Sequence, residues 1–202
     1  MSSLAQPRST PEHYLALERQ AKHRSEYING SIFAMAGASR QHNLIAGNVF
    51  GELRAQLRGR PCEAYINDMR VKVSVTGLYT YPDVAALCGE PDFEDTHVDT
   101  LLNPSVIVEV LSDSTEAYDR GEKFAHYRRL ESLRDYVLIA QDKVRVEHYV
   151  RQGDQWVLSE ASALSSAVHL SAINCEIILR DIYERVEFPS NDAGVSSRSG
   201  AV

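Results

Sequence analysis

The sequence predicts an α/β (α+β) fold in which a mixed β-sheet is flanked by helices, and three observations carry that prediction. Ser105–Leu111 (SVIVEVL) is the most apolar short run in the chain, the signature of a central strand covered on both faces. Asn29-Gly30 stands between two short apolar segments, the strongest local hairpin signal a sequence offers. Leu44, Ile45, Val49, Leu53 and Leu57 recur at helical spacing, yet helices and strands do not alternate as regular βαβ units.

Taken in order, Thr10-Pro11-Glu12 opens a helix over 11–22, with Thr10 as N-cap and Pro11 at the first helical position. The hairpin then predicts strands at 25–28 and 31–36. An amphipathic helix follows over 40–58 and stops at Gly59. Ala64-Tyr65-Ile66 and Val71–Val75 alternate as strands, and Tyr81-Pro82-Asp83 leads into a buried strand through Leu87. Residues 89–103 are acidic and turn-rich and read as a surface loop. After the 105–111 strand, Ser112, Ser114 and Thr115 read as the cap of a helix over 116–130 whose face is Phe124, Tyr127 and Leu130. Tyr136–Ile139 is another buried strand, and 144–150 and 155–160 pair around Gly153. Residues 177–186 form a last short helix or strand.

At 202 residues the chain is long enough for one domain burying roughly 70% of its unfolded surface. A flexible start (1–10), a single domain (11–188) and a disordered, Ser/Gly/Asp-rich tail (189–202) are expected. The apolar and charged fractions, 44% and 24%, are those of a globular protein. No apolar run approaches the ~20 residues of a bilayer span, and MSSLAQPRST has no signal-peptide core, so a cytoplasmic location is the default. Cys62, Cys88 and Cys175 form no CxxC pair and read as buried reduced thiols. The net charge of −7 argues against a protein that coats nucleic acid non-specifically. It does not exclude a nuclease, because metal-binding carboxylates make a chain acidic until the cation is counted.

Asp83 and Glu109 are the candidates for the chemistry, and beside that role Asp83 after Pro82 also fits a plain turn or strand-start residue. One starts a buried strand after Pro82 and the other sits inside the next, so neighbouring strands would bring both to one sheet edge. Convergent carboxylates in an apolar setting repel unless a cation or proton separates them, and Mg²⁺ characteristically takes only one or two protein carboxylates. Such an ion activates water and stabilises charge on a phosphodiester oxygen. Lys123, one turn beyond Asp119 on the helix after the Glu109 strand, is placed to stabilise the transition state. Beside this stands the plainer reading of Lys123 and Asp119 as a solvated i,i+4 pair. Lys72 is the substitute candidate. The hydroxyls at 112–115 have no general base at fixed spacing, so a serine nucleophile is not expected.

The blocks YINGSIFAMAGASRQH, YPDVAALC, VIVEVLSDSTEAYDRGEKFAHY and SLRDYVLIA resemble the Uma2 family, also called DUF820, over residues 11–186. The resemblance implies membership of the PD-(D/E)XK superfamily and a restriction-endonuclease-like fold. It implies a Mg²⁺-dependent (or Mn²⁺-dependent) endonuclease acting on DNA, with Asp83 and Glu109 as metal ligands and the Val110 backbone carbonyl as a further one. The chain departs from the superfamily pattern at Leu111, where a lysine is usual, and Lys123 is the matching position on the following helix. Glu26 and His42 match recurring polar positions of the family. Beside these roles, Glu26 fits a surface pair with Arg24 or Lys22, and His42 a helix-start contact. Two-fold DNA favours a homodimer. The alternative function is a non-catalytic interaction module that retains the nuclease fold.

Overall fold

The structure is a computed structural model in which residues 8–35 and 37–188 are described. Residues 1–7, Ala36 and the expected tail at 189–202 lie outside them. Ser9 is tied down, its N–H donating to the Gly30 carbonyl at 2.9 Å.

Helix α1 (Pro11–Glu18) begins as expected, with the Thr10 hydroxyl accepting the His13 N–H, but it ends four residues early in a turn. Strands β1 (Ser25–Ile28) and β2 (Ser31–Ala34) form the hairpin. Asn29 and Gly30 both take positive φ (49° and 90°), the pattern of a tight two-residue turn. Helix α2 (Arg40–Leu57) is capped by the Ser39 hydroxyl on the His42 N–H.

Strands β3 (Cys62–Ile66), β4 (Arg70–Val73), β5 (Leu78–Thr80) and β6 (Val84–Cys88) follow. β5 was not foreseen as a separate strand, and the expected 71–75 strand stops at Val73, where a turn leaves Val75 exposed. The 89–103 loop contains β7 (Thr100–Leu101). Beyond β8 (Val106–Leu111), the helix expected over 116–130 is broken. It runs as α3 (Glu116–Tyr118), a π-turn (Asp119–Lys123) and α4 (Phe124–Tyr127). The hydroxyls of Ser112, Ser114 and Thr115 bond one another and do not cap α3. β9 (Asp135–Ala140), β10 (Val146–Gln152) and β11 (Gln155–Ala161) complete the main sheet. β12 (Ala167–Leu170) was not foreseen. β13 (Cys175–Ile178) and α5 (Leu179–Ile182) share the segment expected as one final element.

The larger sheet has the order β11-β10-β9-β8-β6-β3, antiparallel except for the parallel β8–β9 pair. A five-stranded sheet, β2-β1-β5-β4-β7, stands beside it, and β12-β13 form a third. β8 is therefore an inner strand, buried at every position. Its alternation divides the core. Val106, Val108 and Val110 meet Ile45, Val49 and Leu53 of α2, while Ile107 and Leu111 meet Tyr127, Leu133 and Leu138 on the opposite face. Glu109 falls in the second set, and so does Asp83 by its parity with Ala85 and Leu87.

The cysteines differ from expectation. The antiparallel register sets Cys62 opposite Cys88, and the two are joined as a disulfide, leaving the buried Cys175 free. Among the described residues, no helix is long and apolar enough to cross a membrane.

Candidate active site

Three elements meet where β6 begins and β8 ends. β6 starts with the pair Val84–Val108, so Asp83, one residue earlier, reaches the level of Glu109 and Val110. The Asp83 Oδ2 accepts the Val110 backbone N–H at 2.7 Å. In a strand, the N–H and C=O of one residue point to the same side, so the Val110 carbonyl faces the Asp83 side, where β6 has already ended. The His42 Nε2 lies 3.2 Å from the Asp83 Oδ2, carried there by the first turn of α2.

Glu109 is 4% exposed and accepts the Tyr127 hydroxyl at 2.8 Å. Lys123, 5% exposed, sets its Nζ 2.9 Å from Glu109 Oε1, 3.4 Å from Glu26 Oε1 and 3.5 Å from Asp119 Oδ1. Glu26 comes from β1 in the other sheet, where Thr80 of β5 donates to it and the Tyr118 hydroxyl lies at 3.4 Å. It pairs with neither Arg24 nor Lys22; Arg24 pairs with Asp68. These groups open on a cavity of about 740 Å³ shared by Glu26, His42, Asp83, Glu109, Asp119 and Lys123.

The electrostatics follow from burial. Desolvation raises the Glu109 carboxyl to about 8; Lys123 opposes the rise, while Asp119 and Asp83 add to it. Asp119 is raised chiefly by its own burial. Burial alone would lower the Lys123 ammonium, but Glu109, Glu26 and Asp119 outweigh it and hold its pKa well above the ordinary value. Three carboxyl groups thus surround one buried ammonium, and a fourth, Asp83, shares the cavity beside His42.

All five side chains singled out in the sequence meet in this cavity. Lys72 does not; it lies on β4, bonded to Glu94 Oε1 at 2.5 Å. Asp119 and Tyr127 were missed as site residues. Asp119 was visible only as the i,i+4 partner of Lys123, and the solvated-pair reading fails because both are buried. The π-turn spans this pair, a distortion frequent at functional sites.

The donor set suits a hard cation better than zinc. Among the described residues, no three His, Cys, Asp or Glu side chains are grouped so as to hold a metal ion. Two carboxylates, a backbone carbonyl and solvent are instead the kind of shell that Mg²⁺ accepts. The convergence of Asp83 and Glu109 on one cavity beside the Val110 backbone is the observation that fits a divalent cation.

Comparison with known proteins agrees with this fold. The chain is 39% identical over 163 residues to the uncharacterized protein sll1609 of Synechocystis sp., covering 80% of this chain and 92% of that protein. It is 34% identical over 183 residues to the uncharacterized protein slr1290 of the same organism, covering 90% and 95%. A crystal structure from Anabaena variabilis, described as a putative nuclease belonging to DUF820, superposes with a TM-score of 0.71 at 17% identity. The match covers 85% of this chain and 96% of that one, and shows that the fold is shared. Residues 11–179 match the profile of Uma2, described as "Putative restriction endonuclease", and the chain belongs to that family.

Proposed function

We propose that this protein is a divalent-metal-dependent endonuclease that hydrolyses DNA phosphodiester bonds. The observation that carries the reading is the meeting of Asp83, Glu109 and Lys123 in one cavity, with Lys123 Nζ 2.9 Å from Glu109 Oε1. Asp83, Glu109 and the Val110 carbonyl are the groups that would hold Mg²⁺ or Mn²⁺. Such an ion supplies Lewis-acid stabilisation of the phosphoryl oxygens and lowers the pKa of bound water.

The chain's own groups do the rest. The Val110 N–H and His42 fix the Asp83 carboxylate, and the Tyr127 hydroxyl fixes Glu109. Lys123, held as an ammonium by three carboxylates, supplies positive charge where the transition state gains negative charge. Glu26 and Asp119 retain that ammonium in place. The family's description and the endonuclease-like fold support this reading.

The experiment is cleavage of supercoiled and single-stranded DNA in Mg²⁺ and Mn²⁺ by wild type, Asp83→Ala and Glu109→Ala, with cation titration by calorimetry. Metal-dependent cleavage by wild type alone, with a binding heat lost in Glu109→Ala, supports it. No cleavage and no binding heat in wild type favours a non-catalytic module. Sedimentation of the same protein tests the proposal that it acts as a homodimer on two-fold DNA.

A further inference from the structure

The β1–β2 hairpin presents an aromatic ring to the cavity. Phe33 is the cross-strand partner of Glu26, so the two side chains stand on one face of the hairpin as adjacent neighbours. The opposite face carries Tyr27, which stacks on Tyr14 at 5.1 Å between centroids and anchors the hairpin to the body. Phe33 has no such role: it is 54% exposed, makes no ring–ring contact among the described residues, and lines the same cavity as Glu109. Met35, also exposed, extends this apolar lip.

Basic side chains stand beside it. Lys22, His23 and Arg24 line the cavity; the Arg24 guanidinium lies over the Tyr81 ring at 5.4 Å, and its Nε is 3.2 Å from Asp68, an exposed pair that a phosphate can displace. An acidic centre, a flanking basic rim and a free aromatic face form a graded surface. The rim matches backbone phosphates, and the ring matches the face of a nucleobase.

Within a duplex the base faces are stacked on their neighbours and closed to a side chain; only a base freed from the stack exposes its face. Resting on the nuclease reading above, we propose that the preferred substrate is DNA with an unpaired base beside the scissile phosphate. That base stacks on Phe33, while Lys22 and Arg24 hold the adjoining phosphates. The hairpin is then the element that discriminates single-stranded, flapped or bulged DNA from perfect duplex.

The test uses the full chain in Ca²⁺, with a single-stranded oligodeoxynucleotide and the fully paired duplex of the same sequence as probes. The native chain has a single tryptophan, so Phe33→Trp adds a second emitter whose response is obtained by difference from wild type. Quenching of that added emission by the single strand at concentrations where the duplex has no effect is expected. Phe33→Ala is expected to bind the single strand roughly 10-fold or more weakly, and Phe33→Tyr to restore binding. Because Phe33 is exposed, these variants are expected to fold as wild type does, with matching thermal midpoints. Equal single-strand affinity of wild type and Phe33→Ala, or equal affinity of wild type for both probes, overturns the proposal. Cleavage in Mg²⁺ separates the two readings. Metal-dependent cleavage that ignores both pairing and Phe33 removes the stacking proposal and leaves the nuclease. Quenching without cleavage by any variant removes the nuclease and leaves a single-strand binding site.

Discussion

The carboxylate of Asp83 is bonded to the backbone of Val110, its Oδ2 accepting that N–H at 2.7 Å, so one acid of the site is fastened to the residue that follows the other. The bond continues the β6–β8 ladder past the last backbone pair. Asp83 therefore has a structural duty beside the metal-binding one proposed for it, and two substitutions separate them. Asp83→Ala leaves the Val110 N–H without its partner and is expected to cost about 1–3 kcal/mol in chemical denaturation. Asp83→Asn keeps an acceptor and is expected to cost less, while losing cation affinity by calorimetry as fully as the alanine variant. Equal stability losses in the two variants would show that the hydrogen bond is not what Asp83 contributes to folding.

Lys123→Ala is expected to leave cation affinity unchanged or raised, because an ammonium 2.9 Å from Glu109 competes with the metal for the same carboxylate. Cleavage is expected to fall roughly 10²- to 10³-fold, the loss typical of one electrostatic stabiliser. Supercoiled-plasmid assays and calorimetry on the same preparation decide it; wild-type cleavage rates in this variant would remove lysine from the mechanism.

The metal-free protein is expected to lose stability as pH rises from about 4.5 to about 8. Glu109 is raised into that window by burial, and Asp119 is raised too, so the folded chain holds protons that the unfolded chain has released. Stability then falls with pH, by a few kcal/mol at most. Lys123, held well above its usual value, stays charged throughout and adds no slope. Thermal midpoints between pH 5 and 8 are expected to decline less steeply in Glu109→Gln than in wild type. Parallel slopes would mean that Glu109 does not titrate there. Mg²⁺ is expected to flatten the wild-type profile by favouring the ionised carboxyl.

Reduction of Cys62–Cys88 reopens a loop of sequence separation 26, for which chain-entropy arguments give about 3.5 kcal/mol. Denaturation midpoints with and without a phosphine reductant, with intact mass to score the thiols, measure it. An unchanged midpoint in fully reduced protein would show that strand pairing alone holds this sheet edge.

Much of this architecture is legible in the chain because local rules and tertiary demands agree. Asn29-Gly30 dictates its turn wherever it stands, and the run around Glu109 is too apolar for any place but an inner strand. The position of the acids at one sheet edge follows from those strands. What escaped depends on partners remote in sequence. Phe124, Tyr127 and Leu130 satisfy a helical period, and nothing in that spacing reveals the π-turn just before them. Cys62 and Cys88 are brought together only by the β3–β6 register. Asp119 reads as solvated until the β1 hairpin, supplying Glu26, closes over it and Lys123.

The origin of the acids in two different sheets gives the centre two kinds of stiffness. Asp83 and Glu109 ride on adjacent ladder positions, so their spacing is set by covalent geometry and strand pairing and resists perturbation from elsewhere. Glu26 belongs to the other sheet, where Thr80 and Tyr118 hold it, and is linked to Glu109 through Lys123. A change at the Tyr14–Tyr27–Tyr79 anchor therefore retunes one carboxylate against a fixed pair, adjusting how tightly Lys123 is gripped without dismantling the place where a cation would sit.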